Sequence, residues 1–273
     1  MSSRRPPGFL LALLTLTLSF PASAAPTVDE IVHHANLTAY YQGQDGRAQV
    51  KMTITDSQGR IRKRRLTILR LDESGSDALE NHAYLGGQKF YVYFHRPADV
   101  NKMAFLVWKH LDRDDDRWLY LPALDLVKRI AATDKRTSFV GSDFFYEDVS
   151  GRSLDEDNHE LVETTKNYYV IKNTPKDPAA VEFAYYKMFI HKTSFIPVQV
   201  EYYDKAGTKY RVARALEVKT IQGFPTVTKA RMENLRTGSA TVMAYTKVEY
   251  NIGLDDALFT ERFLRKAPRK LLR

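Results

Sequence analysis

From residue 168 to residue 250 the chain repeats one pattern, a run of alternating or β-branched residues followed by a turn. The pattern predicts strands at Tyr168 to Lys172, Phe183 to His191, Pro197 to Tyr203, Tyr210 to Val218, Thr226 to Leu235 and Thr241 to Tyr250. Gly207, Gly223 and Gly238 mark turns between them. Val198, Val200 and Tyr202 alternate with Gln199, Glu201 and Tyr203, the period-two signature of a strand with one covered face. Pro197 and Pro225 fall at strand starts, where a missing amide is tolerated. Strands joined by turns this short form an antiparallel meander.

The first half adds a helix and more strands. Thr27-Val28-Asp29-Glu30 is a capping box and predicts a helix from Val28 to Tyr41, ended near Gly43. Ala48, Val50, Met52 and Ile54 alternate with polar residues, Asp56 to Gly59 supply a turn, and Ile61 to Leu71 returns as a hairpin. The basic start of that return, Arg60 to Arg65, reads as a charged strand that discourages edge-to-edge pairing. Residues 72–87 are polar and predict a loop. In the next strand Phe90, Val92 and Phe94 alternate with Tyr91 and Tyr93, so both faces are expected to be covered. Met103 to Trp108, Trp118 to Leu121 and Leu126 to Ala131 continue the sheet. Gly141-Ser142-Asp143 suits the N-cap of a short helix from Phe144 to Asp148, and residues 155–160 read as a polar loop. Roughly ten strands exceed what a small flat sheet uses, so the sheet is expected to curl into a half-barrel. The fold class is α+β and mostly β: one strongly curved antiparallel sheet with a few helices over its concave face. No linker or tandem repeat divides the chain, which predicts a single domain from residue 25 to 273.

Residues 1–24 read as a cleaved signal peptide: Arg4 and Arg5, an apolar run from Phe9 to Phe20, then Ala22-Ser23-Ala24. The run is short for a membrane span. The 273 residues include no cysteine, which excludes disulfides, thiolate metal sites and a lipidation cysteine. Net charge is +8, and removing Arg4 and Arg5 leaves 8 − 2 = +6. Behind an export signal, that charge points to anionic lipid head groups, to an acidic partner or simply to a solvated surface, and not to nucleic acid. The expected compartment is the periplasm.

Catalytic and metal motifs fail on spacing. Asp112, Asp114 and Asp116 occupy the first three acidic positions of a calcium loop, but Arg117 stands where the glycine belongs and Ala123 where the glutamate belongs. His33 and His34 are adjacent, so they cannot pair on one helix face, and no metalloprotease motif occurs. Ser138, Ser142 and Ser150 lack a nucleophile elbow. Asp143 and Glu147, four apart, read as a cap and a first-turn carboxylate. No catalytic residue, metal or cofactor is expected. The chain has 16 Tyr and 14 Phe, and a curled sheet incompletely plugged by helices leaves an apolar concavity for them to line. Phe90, Val92, Phe94, Tyr186, Met188 and Ile190 are the candidate lining residues, either for a cavity or as ordinary core.

Residues 117–148 carry a resemblance. The motif Trp118-Leu-Tyr120-Leu-Pro122-Ala, then Arg129-Ile130, then Ser138-Phe139-Val-Gly141-Ser142-Asp143-Phe144 and Tyr146-Glu147-Asp148, resembles the bacterial outer-membrane lipoprotein-sorting-protein family, relatives of the periplasmic Lol carriers. Leu258-Phe259-Thr260 before Phe263-Leu264 extends the likeness. The resemblance implies a half-barrel that carries lipid or acylated protein, with transient membrane contact. It also implies association with outer-membrane sorting or with an export pump of the resistance-nodulation-division type. An envelope-stress regulator uses a similar sheet, so a sensor module bound to a membrane protein is the alternative. Arg129 is the motif's candidate for an arginine controlling a lid, and the short helix is expected to be the plug that moves when cargo enters.

Overall fold

The computed structural model describes residues 25–73 and 87–272. The expected signal peptide and most of the expected loop at 72–87 lie outside the described residues. Helix α1 (Val28–Tyr40) starts as the capping box requires: the Thr27 hydroxyl accepts from the Glu30 amide at 3.2 Å, and the Glu30 carboxylate accepts from the Thr27 amide at 2.7 Å. Ile31, Val32 and Ala35 form its buried face.

All strands among the described residues belong to one antiparallel sheet. In the first half these are β1 (Asp45–Thr55), β2 (Ile61–Asp72), β3 (Gln88–Arg96), β4 (Ala104–Lys109), β5 (Asp116–Leu121) and β6 (Leu126–Ile130). The second half holds β7 (Asp157–Thr164), β8 (Tyr168–Pro175), β9 (Tyr185–His191), β10 (Pro197–Tyr203), β11 (Lys209–Ile221), β12 (Phe224–Asn234) and β13 (Ser239–Tyr250). Their spatial order is β6-β5-β4-β3-β2-β1-β13-β12-β11-β10-β9-β8-β7. The first meander therefore runs from the middle of the sheet to one edge, and the second starts at the opposite edge and returns until β13 docks on β1. This topology forces residues 131–156, between β6 and β7, to travel from one edge to the other. Because the sheet is curved and unclosed, the short path lies across its concave face.

Two apolar layers follow from the alternation. Phe90, Val92 and Phe94 join Phe105, Val107 and Leu119 on the concave side, where Phe139 and Tyr146 of the crossing segment pack on them. Tyr91, Leu106 and Trp118 face the convex side, covered by Leu254, Phe259, Leu264 and Leu272 around helix α3 (Glu261–Arg265). Each large apolar side chain so buried contributes about 1.5–3 kcal/mol. The polar atoms of the convex layer are satisfied: Trp108 Nε1 donates to the Phe259 carbonyl at 2.7 Å, and the Tyr91 hydroxyl donates to the Phe263 carbonyl at 2.8 Å. Strand β3 is thus covered on both faces, as its aromatic alternation implied.

Several expectations are corrected. The sheet has thirteen strands, not roughly ten. Strand β7 was expected to be a loop over residues 155–160; it pairs only with β8 and its second half is exposed, so it carries no period-two apolar signal. Strand β2 lies inside the sheet, paired with β1 and β3, so its basic start does not guard an edge. Instead Arg62 and Arg64 donate to the carbonyls of Gly141 and Val140 in the crossing segment. The short helix α2 spans Glu147–Ser150, three residues later than expected, and neither Ser142 nor Asp143 caps it. Asp143 is held elsewhere: its carboxylate accepts from the Thr241 hydroxyl at 2.6 Å and from the Ser239 hydroxyl on β13. The Phe145 amide at the start of that turn is bound by the Asp148 carboxylate at 2.6 Å.

Candidate functional site

A cavity of about 450 Å³ lies between the concave face, α1 and the crossing segment. Its size is in the range of small-molecule pockets, roughly 300–1,000 Å³. Val32, Ala35 and Ala39 of α1 form one wall, and Ala48, Leu66 and Ile68 of β1 and β2 form another. Val200, Ala213, Ala230, Met243 and Tyr245 close it from the second half of the sheet. Small residues on β11 and β12 leave the space that larger ones would fill. Four of the six candidate lining residues, Phe90, Val92, Tyr186 and Met188, border this cavity. The other two do not: Phe94 is fully buried against Phe139, with ring centroids 5.8 Å apart, and Ile190 packs beneath α1 with Ile31 and Ile171.

The crossing segment forms one side of the cavity through Phe139, Phe144, Val149 and Gly151. Phe139 is wedged among Phe94, Phe105 and Tyr146. Gly151 adopts φ +76, and a Cβ there would meet the Tyr40 ring at 2.6 Å. With ψ 155 this is backbone that only glycine adopts readily. Gly151→Ala is expected to cost at least about 1–3 kcal/mol from backbone strain alone, read by urea denaturation.

Buried ion pairs latch the segment to the second half of the sheet. Glu147, 3% exposed, accepts from Arg136 and lies 3.4 Å from both Lys135 and Arg152. Arg136 forks onto Glu182 at 2.7 and 2.8 Å, and Arg152 binds Asp157 at 2.9 and 3.0 Å. Arg211 of β11, 2% exposed, pairs with Asp148 and lies 3.9 Å from the Phe145 ring centroid. Burial pushes the Glu147 carboxyl up, but Arg136, Lys135 and Arg152 outweigh it and hold it below the usual glutamate value. Burial likewise opposes ionisation of Glu182, while the Arg136 fork lowers it from 4.5 to about 2. A carboxyl lowered on folding stabilises above its unfolded value and loses that contribution as pH falls through its folded one. The difference in melting temperature between the wild type and Glu182→Gln is therefore expected to be constant from pH 7 to about 5 and to shrink between about 4.5 and 2.

Trp118, Tyr120, Pro122, Arg129, Gly141 and Ser142 do not border the cavity. Trp118 faces its cross-strand neighbour Arg129, which pairs with Asp116. Arg129 is 68% exposed on β6 and does not border the cavity; Arg211, Arg136 and Arg152 make the buried ion pairs of the crossing segment, beside the hydrogen bonds from Arg62 and Arg64. The Tyr120 hydroxyl donates to Asp125 at 3.1 Å, and Pro122 opens a single turn after β5. Gly141, at φ +71, lets the chain turn before Ser142, whose buried hydroxyl donates to the Phe139 carbonyl at 2.8 Å. Asp116 is the first residue of β5 and is bound by His110 and Arg113 at 3.0 Å each. Among the described residues no cluster of His, Asp or Glu is placed to hold a metal ion.

A family model described only as that of an uncharacterized protein matches residues 86–266. The chain is 29% identical to a DUF1329 family protein from Desulfovibrio piger, over 86% of this chain and 97% of that one, with a TM-score of 0.75. It is 26% identical to a putative outer membrane lipoprotein-sorting protein domain from Vibrio parahaemolyticus, with the same coverage and a TM-score of 0.75. The chain belongs to the family that this model of residues 86–266 describes. A LolA superfamily protein from Nitrosomonas europaea, 19% identical over 88% of this chain and all of that one, shares the fold with a TM-score of 0.66. No curated protein matches the chain. The motif that carries the resemblance begins in β5 and β6 and continues into the segment that crosses the concave face.

Proposed function

We propose that this protein is a periplasmic carrier that holds an acyl chain, of a lipid or of a lipidated protein, in the concave cavity. The observation that carries this reading is the roughly 450 Å³ apolar space left between sheet, α1 and crossing segment. A packed interior holds few voids larger than a water molecule, so a space of this size and lining supports a binding role. The kinship with a lipoprotein-sorting domain and a LolA superfamily protein supports the same class of cargo. In this proposal residues 1–24 direct export and are cleaved, and residues 25–273 act as one binding unit. The carrier exchanges cargo by transient contact with a membrane or with an envelope membrane protein, such as an exporter of the resistance-nodulation-division type.

A homologous series of fluorescent fatty acids tests it. Each added methylene buried contributes about 0.8 kcal/mol, which is roughly a fourfold gain in affinity until the cavity is full. Affinity that does not depend on chain length contradicts an acyl site.

A further inference from the structure

The sheet parts in one place. Strands β12 and β13 are paired from Asn234 opposite Ser239 to Lys229 opposite Ala244, and there the pairing stops. Beyond that point residues 224–228 stay with β11, and Tyr245 to Tyr250 stay with β1. Three register irregularities meet at the parting. One leaves Leu216 extra on β11, one leaves Thr228 extra on β12, and one sets Lys247 and Val248 of β13 against Ala48 alone, with Lys247 at φ 49. A bulge bends its strand and increases the local twist. Bulges on both sides of one line turn the β11–β12 hairpin away from β13.

The far end of the seam is closed by side chains. The Gln222 amide group takes the place of a peptide unit: it donates to the Tyr250 carbonyl at 3.0 Å and accepts from the Tyr250 amide at 2.7 Å. The Tyr250 hydroxyl shares a hydrogen bond of 2.9 Å with Thr226, and its ring meets Phe224 edge-on at 5.0 Å. The lips between these bridges and Lys229 include Val227, Tyr245 and Val248, all of which also line the cavity. Leu216 and Val218, 46% and 45% exposed, stand on the outer hairpin. The crossing segment is the rival route, but it is fastened by the buried pairs of Arg211, Arg136 and Arg152, whereas the seam is held by three hydrogen bonds from side chains.

We propose that the seam between β12 and β13 is the portal through which a single acyl chain enters and leaves the cavity, with Gln222 and Tyr250 as its clasp. The proposal rests on the carrier reading above. The apolar lips run into the apolar cavity, so an alkyl chain stays out of water along the whole route. Spreading the seam gives up side-chain hydrogen bonds to solvent and breaks no ladder between strands.

The test uses dansyl-undecanoic acid and stopped-flow fluorescence on the full exported chain. It has no native cysteine, so Thr226→Cys with Tyr250→Cys gives one defined pair to join with a short bis-maleimide. Crosslinking is expected to slow both uptake and release at least tenfold relative to the same variant left unlinked, with little change in equilibrium affinity. Gln222→Ala is expected to speed both rates several-fold. Unchanged rates after crosslinking overturn the portal. So does slowing that occurs only when the crossing segment is linked to the sheet, through Asp143→Cys with Thr241→Cys. A wild type that binds no probe overturns the carrier reading itself and the portal with it; a wild type that binds, with a seam link that changes nothing, overturns the portal alone.

Discussion

Replacing Asp148 by alanine is expected to destabilise the protein by about 3–5 kcal/mol, the cost of leaving a buried charge without its partner. Arg211 is 2% exposed, and beyond Asp148 its guanidinium donates to the Asp143 carbonyl at 3.2 Å. Two of its nitrogens, Nε and Nη1, have no hydrogen-bond partner among the described residues, so little remains to compensate the charge. Asp148 also binds the Phe145 amide, so its loss frees the turn that enters α2. Arg211→Met in the same chain is expected to recover most of the loss, because removing both charges of a buried pair costs far less than removing one. Urea denaturation of the two single variants and the double variant gives the coupling directly. A loss below about 1 kcal/mol in Asp148→Ala would mean that the crossing segment is not latched there.

The second large effect is on binding. Ala230 borders the cavity from β12, and Ala230→Trp is expected to fill space that an acyl chain would occupy. If the indole displaces about four methylenes, affinity falls by about 3 kcal/mol, on the order of a hundredfold. Stability is expected to change far less, because the added ring enters a void and not a packed core; forcing extra atoms into a filled core costs about 1–3 kcal/mol. Isothermal titration with a long-chain fatty acid, beside a thermal melt, separates the outcomes. Equal affinity in both proteins would place the ligand elsewhere.

The sheet was legible because its strands alternate. Phe90 to Phe94 with Tyr91 and Tyr93 declare two covered faces, which is what the concave and convex layers require; in β10 only Val200 and Tyr202 keep the expected face, half-buried beside Phe183 and Tyr186, because the register shifts at Val198. Strand β7 was hidden because it pairs on one side only and has no apolar face to show. Ser142 and Asp143 looked like a cap because short polar residues serve both caps and tertiary contacts. Their partners, Phe139 locally and Thr241 98 positions away, are set by the fold. Arg129 drew attention through its motif, yet Arg211 is among the arginines that grip the crossing segment, within a strand whose pattern signals only pairing. The cavity itself is written in small residues, Ala213 and Ala230, and an alanine in a strand looks the same whether it faces a neighbour or a void. The sequence signal of the seam is the break in alternation at Ala215-Leu216-Glu217-Val218, where the register of β11 against β12 shifts.

In the proposed carrier the concave cavity holds an acyl chain in the exported protein. Native mass spectrometry of the protein extracted gently from the periplasm, without detergent, tests it most directly. One acyl-bearing molecule is expected on the wild type and none on Ala230→Trp. A wild type that carries no lipid, or an Ala230→Trp variant that carries as much as the wild type, would contradict it.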